Sequence, residues 1–136
     1  MSNIFFPLFS IMCLISCSNN HLGPAGSGIE GVWRLYEYGG SPGYGYYVVA
    51  VPGQPLQSLT FNKKGAVNTQ GDQLNGVFAF PFYRVVTVQD ELKIEFLADK
   101  KQESAVNYMR LEIVGDTMHI RPTCFEGCHY SFVRIR

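Results

Sequence analysis

From Gly31 onward, apolar and polar positions alternate in short runs separated by turn residues, and no stretch carries a convincing helical period. Leu92, Ile94 and Phe96 interleave with Lys93 and Glu95, while Met109, Leu111 and Ile113 interleave with Arg110 and Glu112. Successive side chains of a strand point to opposite faces, so each run offers one face to a core and the other to water. The pattern predicts strands over Gly31–Tyr38, Tyr46–Val51, Leu56–Asn62, Phe82–Gln89, Leu92–Ala98, Ala105–Val114, Thr117–Arg121 and His129–Arg136. Weaker strand pieces are expected around Ala66–Thr69 and Val77–Phe80. Lys63-Lys64-Gly65, Gln89-Asp90-Glu91 and Gly115-Asp116 supply turns between them. About eight to ten strands in one small all-β domain must form a sandwich or close into a barrel that removes its edges.

Ahead of this domain the pattern changes. Ile4 to Ile15 is uncharged and dominated by apolar residues, ends in Leu14-Ile15-Ser16-Cys17, and falls short of the roughly 20 residues that a spanning helix requires. It resembles a bacterial lipoprotein signal, in which a peptidase cuts before a cysteine that carries diacylglycerol. The usual positive charge before the apolar run is limited here to the amino terminus, since no Lys or Arg precedes it. The resemblance implies a signal peptide over residues 1–16, lipidation of Cys17, and a protein anchored in the cell envelope. An outer-membrane position is expected, periplasmic or surface-exposed, with the membrane as a partner through the N-terminal lipid. Ser18 to Ile29 is small, polar and rich in glycine, so residues 17–29 are expected to form a flexible tether to a domain at 30–136.

Composition narrows the function. Lys and Arg together number 11 and Asp and Glu together number 11, and with no basic stripe the chain lacks the electrostatic footprint of a nucleic-acid binder. Of the four cysteines, Cys13 leaves with the signal and Cys17 takes the lipid, which leaves Cys124 and Cys128 in the domain. A remaining pair outside the cytoplasm is expected to bridge, and the intervening turn lets the two sulfurs meet. A metal site using His119, Glu126 or His129 and a redox-active pair are the competing readings; zinc would need further convergent ligands, and no Lys or Arg flanks the motif to depress a thiol.

Gly31-Val32-Trp33 opens the first strand and Arg134 stands in the last. This resembles the Gly-x-Trp motif of lipocalins, in which the tryptophan plugs the closed end of a barrel and an arginine packs over it. The wider match, through Trp33-Arg34-Leu35-Tyr36-Glu37-Tyr38, Leu59-Thr60-Phe61, Pro122-Thr123-Cys124-Phe125-Glu126-Gly127-Cys128 and Phe132-Val133-Arg134-Ile135, is to the short lipocalin-like lipoproteins of bacteria. It implies a small antiparallel up-and-down β-barrel, with Trp33 as plug and Arg134 as its cap.

The resemblance also implies that a small apolar or amphipathic molecule binds at the open end. The loop dense in tyrosine and glycine after the first strand and the cysteine loop would share that end, which makes Glu37, Tyr38, Tyr44, Tyr46 and Phe125 the candidate ligand-binding residues. Strict alternation from Trp33 and Leu35 turns Glu37 toward the interior near the mouth, although a water-exposed rim suits a carboxylate better. The alternative is a barrel filled by Trp33, Phe61, Ile94, Phe96, Leu111, Ile120 and Phe132, serving as a protein-interaction or inhibitor module of the envelope. No catalytic motif, cofactor or metal site can be placed on suitable structure, so an enzyme is not expected.

Overall fold

The computed structural model describes residues 28–103, 108–124 and 127–136. The expected signal, Cys17, most of the tether and Phe125 lie outside the described residues. Among the described residues are nine strands, β1 Gly31–Gly40, β2 Tyr47–Ala50, β3 Ser58–Phe61, β4 Val67–Gln70, β5 Phe82–Val88, β6 Glu91–Leu97, β7 Met109–Val114, β8 Thr117–Arg121 and β9 Cys128–Arg134, and one helix, α1 Asp72–Phe78.

The strands form one antiparallel sheet in the order β4-β3-β1-β9-β8-β7-β6-β5. β9 runs along one side of β1, so β2 and β3 share its other side, β2 against Glu37 to Gly40 and β3 against Gly31 to Arg34. They act as one interrupted strand. The sheet curls until its two edges touch, with Ala66 bridging Phe82 and the Tyr83 amide donating to the Gly65 carbonyl at 2.9 Å. The result is a strongly curled, barrel-like meander compatible with a lipocalin-like fold.

A β-bulge interrupts the alternation of β1. Leu35 opposes Phe132 on β9, but the register then shifts, so that Glu37 opposes Ser131 and Tyr38 opposes Tyr130. Tyr36 is the extra residue, and beyond it the faces are exchanged. Trp33 and Leu35 face the core with Phe132, Tyr38 packs against the core with Tyr130, and Glu37 shares the outer face with Ser131. The inward position that alternation alone gave Glu37 is therefore corrected.

The core is one cluster in which Trp33, Leu35, Leu59, Phe61, Ile94, Phe96, Leu111, Met118, Ile120 and Phe132 are all buried. Helix α1 adds Leu74 and Phe78, both fully buried, where an extended piece around Val77–Phe80 was expected. Phe78 meets Phe96 at 5.1 Å and Tyr130 at 5.0 Å between ring centroids, both edge to face. An isolated helix this short would not form in water, and Gly76 inside it costs about 1 kcal/mol relative to alanine. Burying Leu74 and Phe78 contributes about 1.5–3 kcal/mol each, which outweighs that deficit. Gly71 at the N-cap has no side chain to cap with, and the Gln57 side chain, brought from before β3, accepts instead from the Gln73 amide at 3.1 Å.

The two ends of the barrel differ. At one end Trp33 is fully buried, its indole N–H donates to the Ile29 carbonyl at 2.7 Å, and the Arg134 guanidinium lies 4.2 Å from its ring centroid. At the other end Gly40 pairs with Cys128, so the loop after β1 and the disulfide loop before β9 lie together, opposite Trp33. On the outer face of β5 and β6, Arg84 grips the fully buried Glu95 through Nη2 at 2.5 Å and Nε at 2.7 Å.

Candidate functional site

Polar side chains of three strands and one loop converge outside the barrel, next to the disulfide. Alternation on β9 turns Tyr130 and Phe132 inward and His129 and Ser131 outward, and on β8 it turns Met118 and Ile120 inward and His119 and Arg121 outward. The bulge adds Glu37 to this face. Together with Tyr46, Gly127 and Cys128 these residues line a cleft of ≈ 350 Å³.

The centre of the cleft is His129. Its Nε2 lies 3.0 Å from Glu37 Oε1 and its Nδ1 is hydrogen-bonded to the Tyr46 hydroxyl. A carboxylate only accepts, so Nε2 carries the ring proton; in the neutral imidazole Nδ1 is then the acceptor and the Tyr46 phenol donates to it. The Tyr46 ring also lies nearly parallel to the imidazole, at 5.7 Å between centroids and 17° between planes. Gly39 is the cross-strand partner of His129, and a Cβ there would approach His129 Cε1 to 2.6 Å and strike the Tyr47 carbonyl. The imidazole occupies the space that the missing side chain leaves. Deeper in the cleft, Ser131 is 1% exposed and its hydroxyl is bonded to His119 Nδ1 at 2.9 Å. Arg121 reaches Glu112 at 3.4 Å on the rim.

Of the residues expected at the rim, Glu37 and Tyr46 are brought together, through a histidine, on the outer wall. Tyr38 turns to the core side and stacks on Tyr130 at 6.2 Å. Its environment leaves a mark on its neighbour, since burial and the nearby Tyr47 and Tyr38 phenols push the Tyr130 hydroxyl above its usual pKa. Tyr44 stands 92% exposed at the loop tip, away from the cluster. Cys124 and Cys128 form a disulfide that closes the loop into β9. Trp33 and Arg134 sit at the opposite end. His129, Ser131, His119 and Arg121 were not expected together, although alternation along the last two strands already set each outward.

His119 meets Ser131 through Nδ1, and Ser131 is too buried to present its hydroxyl to a reacting carbonyl. Among the described residues no three His, Cys, Asp or Glu side chains are grouped to hold a metal ion. A second cleft, of ≈ 290 Å³, lies over Glu91, Arg110 and Glu112. There Glu91 is held below its usual pKa by the Lys93 hydrogen bond and the Arg110 and Lys93 charges, a set of groups already satisfied by one another. No family model matches the chain, and comparison with curated proteins gives no match.

Proposed function

We propose that this chain is a lipid-anchored, extracytoplasmic lipocalin-like barrel, of the kind found in short bacterial lipoproteins, that binds through its exterior and does not catalyse a reaction. The observation that carries the reading is the division of labour between the two faces of β9. Its inward residues Tyr130 and Phe132 pack with Phe78 in the centre, while its outward residues His129 and Ser131 build a polar cleft with Glu37 and Tyr46. A small apolar molecule entering the barrel would meet Leu74 and Phe78, which are fully buried with the core. Binding from outside, to an envelope partner or a soluble ligand, needs no such displacement. With Cys17 as anchor, the tether enters beside Trp33, so the cleft end faces away from the membrane.

Native mass spectrometry of the protein extracted from its own membranes tests this. The expected mass is that of the chain from Cys17 with acyl groups and no retained apolar molecule. A small apolar molecule that co-purifies and is released only on denaturation would overturn the exterior-binding reading. A Cys17→Ser variant that still fractionates with membranes would overturn the anchor.

A further inference from the structure

We propose that the cleft around Tyr46 and His129 is a binding site for a neutral sugar ring. This rests on the exterior-binding reading and supplies its ligand class. The first support is a fixed aromatic platform. The Tyr46 hydroxyl is tied to His129 Nδ1, the two rings lie end to end in nearly the same orientation, and the residue remains 55% exposed. A flat ring anchored at its hydroxyl edge and exposed to solvent matches the C–H face of a pyranose, whose electropositive hydrogens meet the negative face of the π system.

The second support is the set of polar groups beside the platform. Glu37 offers acceptors, Arg121 offers donors, and the His119 ring, held from behind by Ser131, offers its remaining nitrogen. Adjacent sugar hydroxyls each donate and accept, and planar carboxylate and guanidinium groups can address two of them at once. Charge argues the same way. Of the lining residues, Glu37 is tied to His129 and Arg121 is already paired with Glu112 on the rim, so neither an oxyanion nor an organic cation finds an unpaired opposite charge. The volume of ≈ 350 Å³ lies at the lower end of the about 300–1,000 Å³ typical of small-molecule sites. It accommodates one or two rings.

The test is a nuclear magnetic resonance titration of the full chain in detergent. The probes are glucose, galactose, mannose, N-acetylglucosamine, cellobiose and maltose, with inorganic phosphate and choline as charged controls. The expected result is a saturable shift of the His129 and Tyr46 ring signals with at least one sugar, at a Kd on the order of 1 mM. Tyr46→Ala and Glu37→Gln should each weaken that binding about tenfold, a loss of the size expected for one such contact, while Tyr44→Ala leaves it unchanged. Near-ultraviolet circular dichroism checks that each variant is folded. No shift with any sugar up to about 50 mM, far above an expected Kd of order 1 mM, overturns the proposal, as does a response confined to phosphate or choline. Neither failure touches the exterior-binding reading, which the native mass reads separately.

Discussion

Trp33 and Arg134 are direct cross-strand partners, one opening β1 and the other closing β9. The guanidinium lies over the indole at 4.2 Å and is held there by the Gly28 carbonyl at 2.5 Å, the Glu30 carbonyl and the Asp116 carboxylate at 3.4 Å. One side chain thus joins the strand that starts the barrel, the strand that ends it and the β7–β8 turn. Gly31 makes room for this returning segment: its φ is +125°, and a Cβ there would strike the Arg136 carbonyl and come to 3.0 Å from Arg134 Nη1.

Arg134→Lys should therefore destabilise the domain by about 1–2 kcal/mol, since lysine keeps the charge but loses the planar stack and the forked donors. Trp33→Ala should cost about 3–5 kcal/mol, the range for removing a large buried aromatic. Urea denaturation followed by circular dichroism measures both. Equal stability of wild type and Arg134→Lys would show that the stack contributes nothing.

Gly39→Ala is expected to act on the cleft through packing. The added methyl meets the Tyr47 backbone and the His129 ring, so either the β1–β2 pairing opens or the imidazole moves. A cost of about 1–3 kcal/mol is expected for such overpacking, with loss of the Tyr46–His129 hydrogen bond visible as a shift of the His129 ring signals. An unchanged imidazole environment would contradict this account of Gly39.

Phe78→Ala removes the aromatic side chain that α1 places among Phe96, Tyr130 and Phe132. A loss of about 3–5 kcal/mol is expected from the transfer and cavity terms together. The cavity is apolar, so the variant should acquire binding of benzene or xenon that the wild type lacks. Saturable benzene binding by the wild type would mean that the centre is not filled.

Stability should fall on the alkaline side. The Tyr83 hydroxyl donates to the Asn62 carbonyl at 2.7 Å, and burial, reinforced by Glu30, pushes its pKa up from 10.0 to about 12. Between these values the unfolded chain has released the phenolic proton while the folded chain retains it, so unfolding is favoured as pH rises. The contribution of Tyr83 is complete below pH 10 and is lost as pH rises toward about 12. Tyr83→Phe should be less stable at pH 7 by about 0.5–1.5 kcal/mol for the lost hydrogen bond, with a shallower decline in that alkaline window. Denaturation midpoints at pH 7 and across the window test the sign.

The sequence by itself determined the all-β class, most strand positions and the antiparallel order, because period-two burial and turn chemistry are local properties that neighbouring residues declare. It also marked Trp33 and Arg134 as ends of the first and last strands, and Cys124 and Cys128 as the pair left to bridge. Three things were decided only in three dimensions. The bulge at Tyr36 arises from how β1 meets β9, and it sends Glu37 outward although its own neighbours in sequence point it inward. Helix α1 is too short and too poorly capped to announce itself, and it exists because the core rewards burial of Leu74 and Phe78 while Gln57 caps it from a distant loop. The cleft itself joins Glu37, Tyr46, His119 and His129 from separate strands and a loop, and such convergence depends on register, which a chain read one residue at a time does not contain.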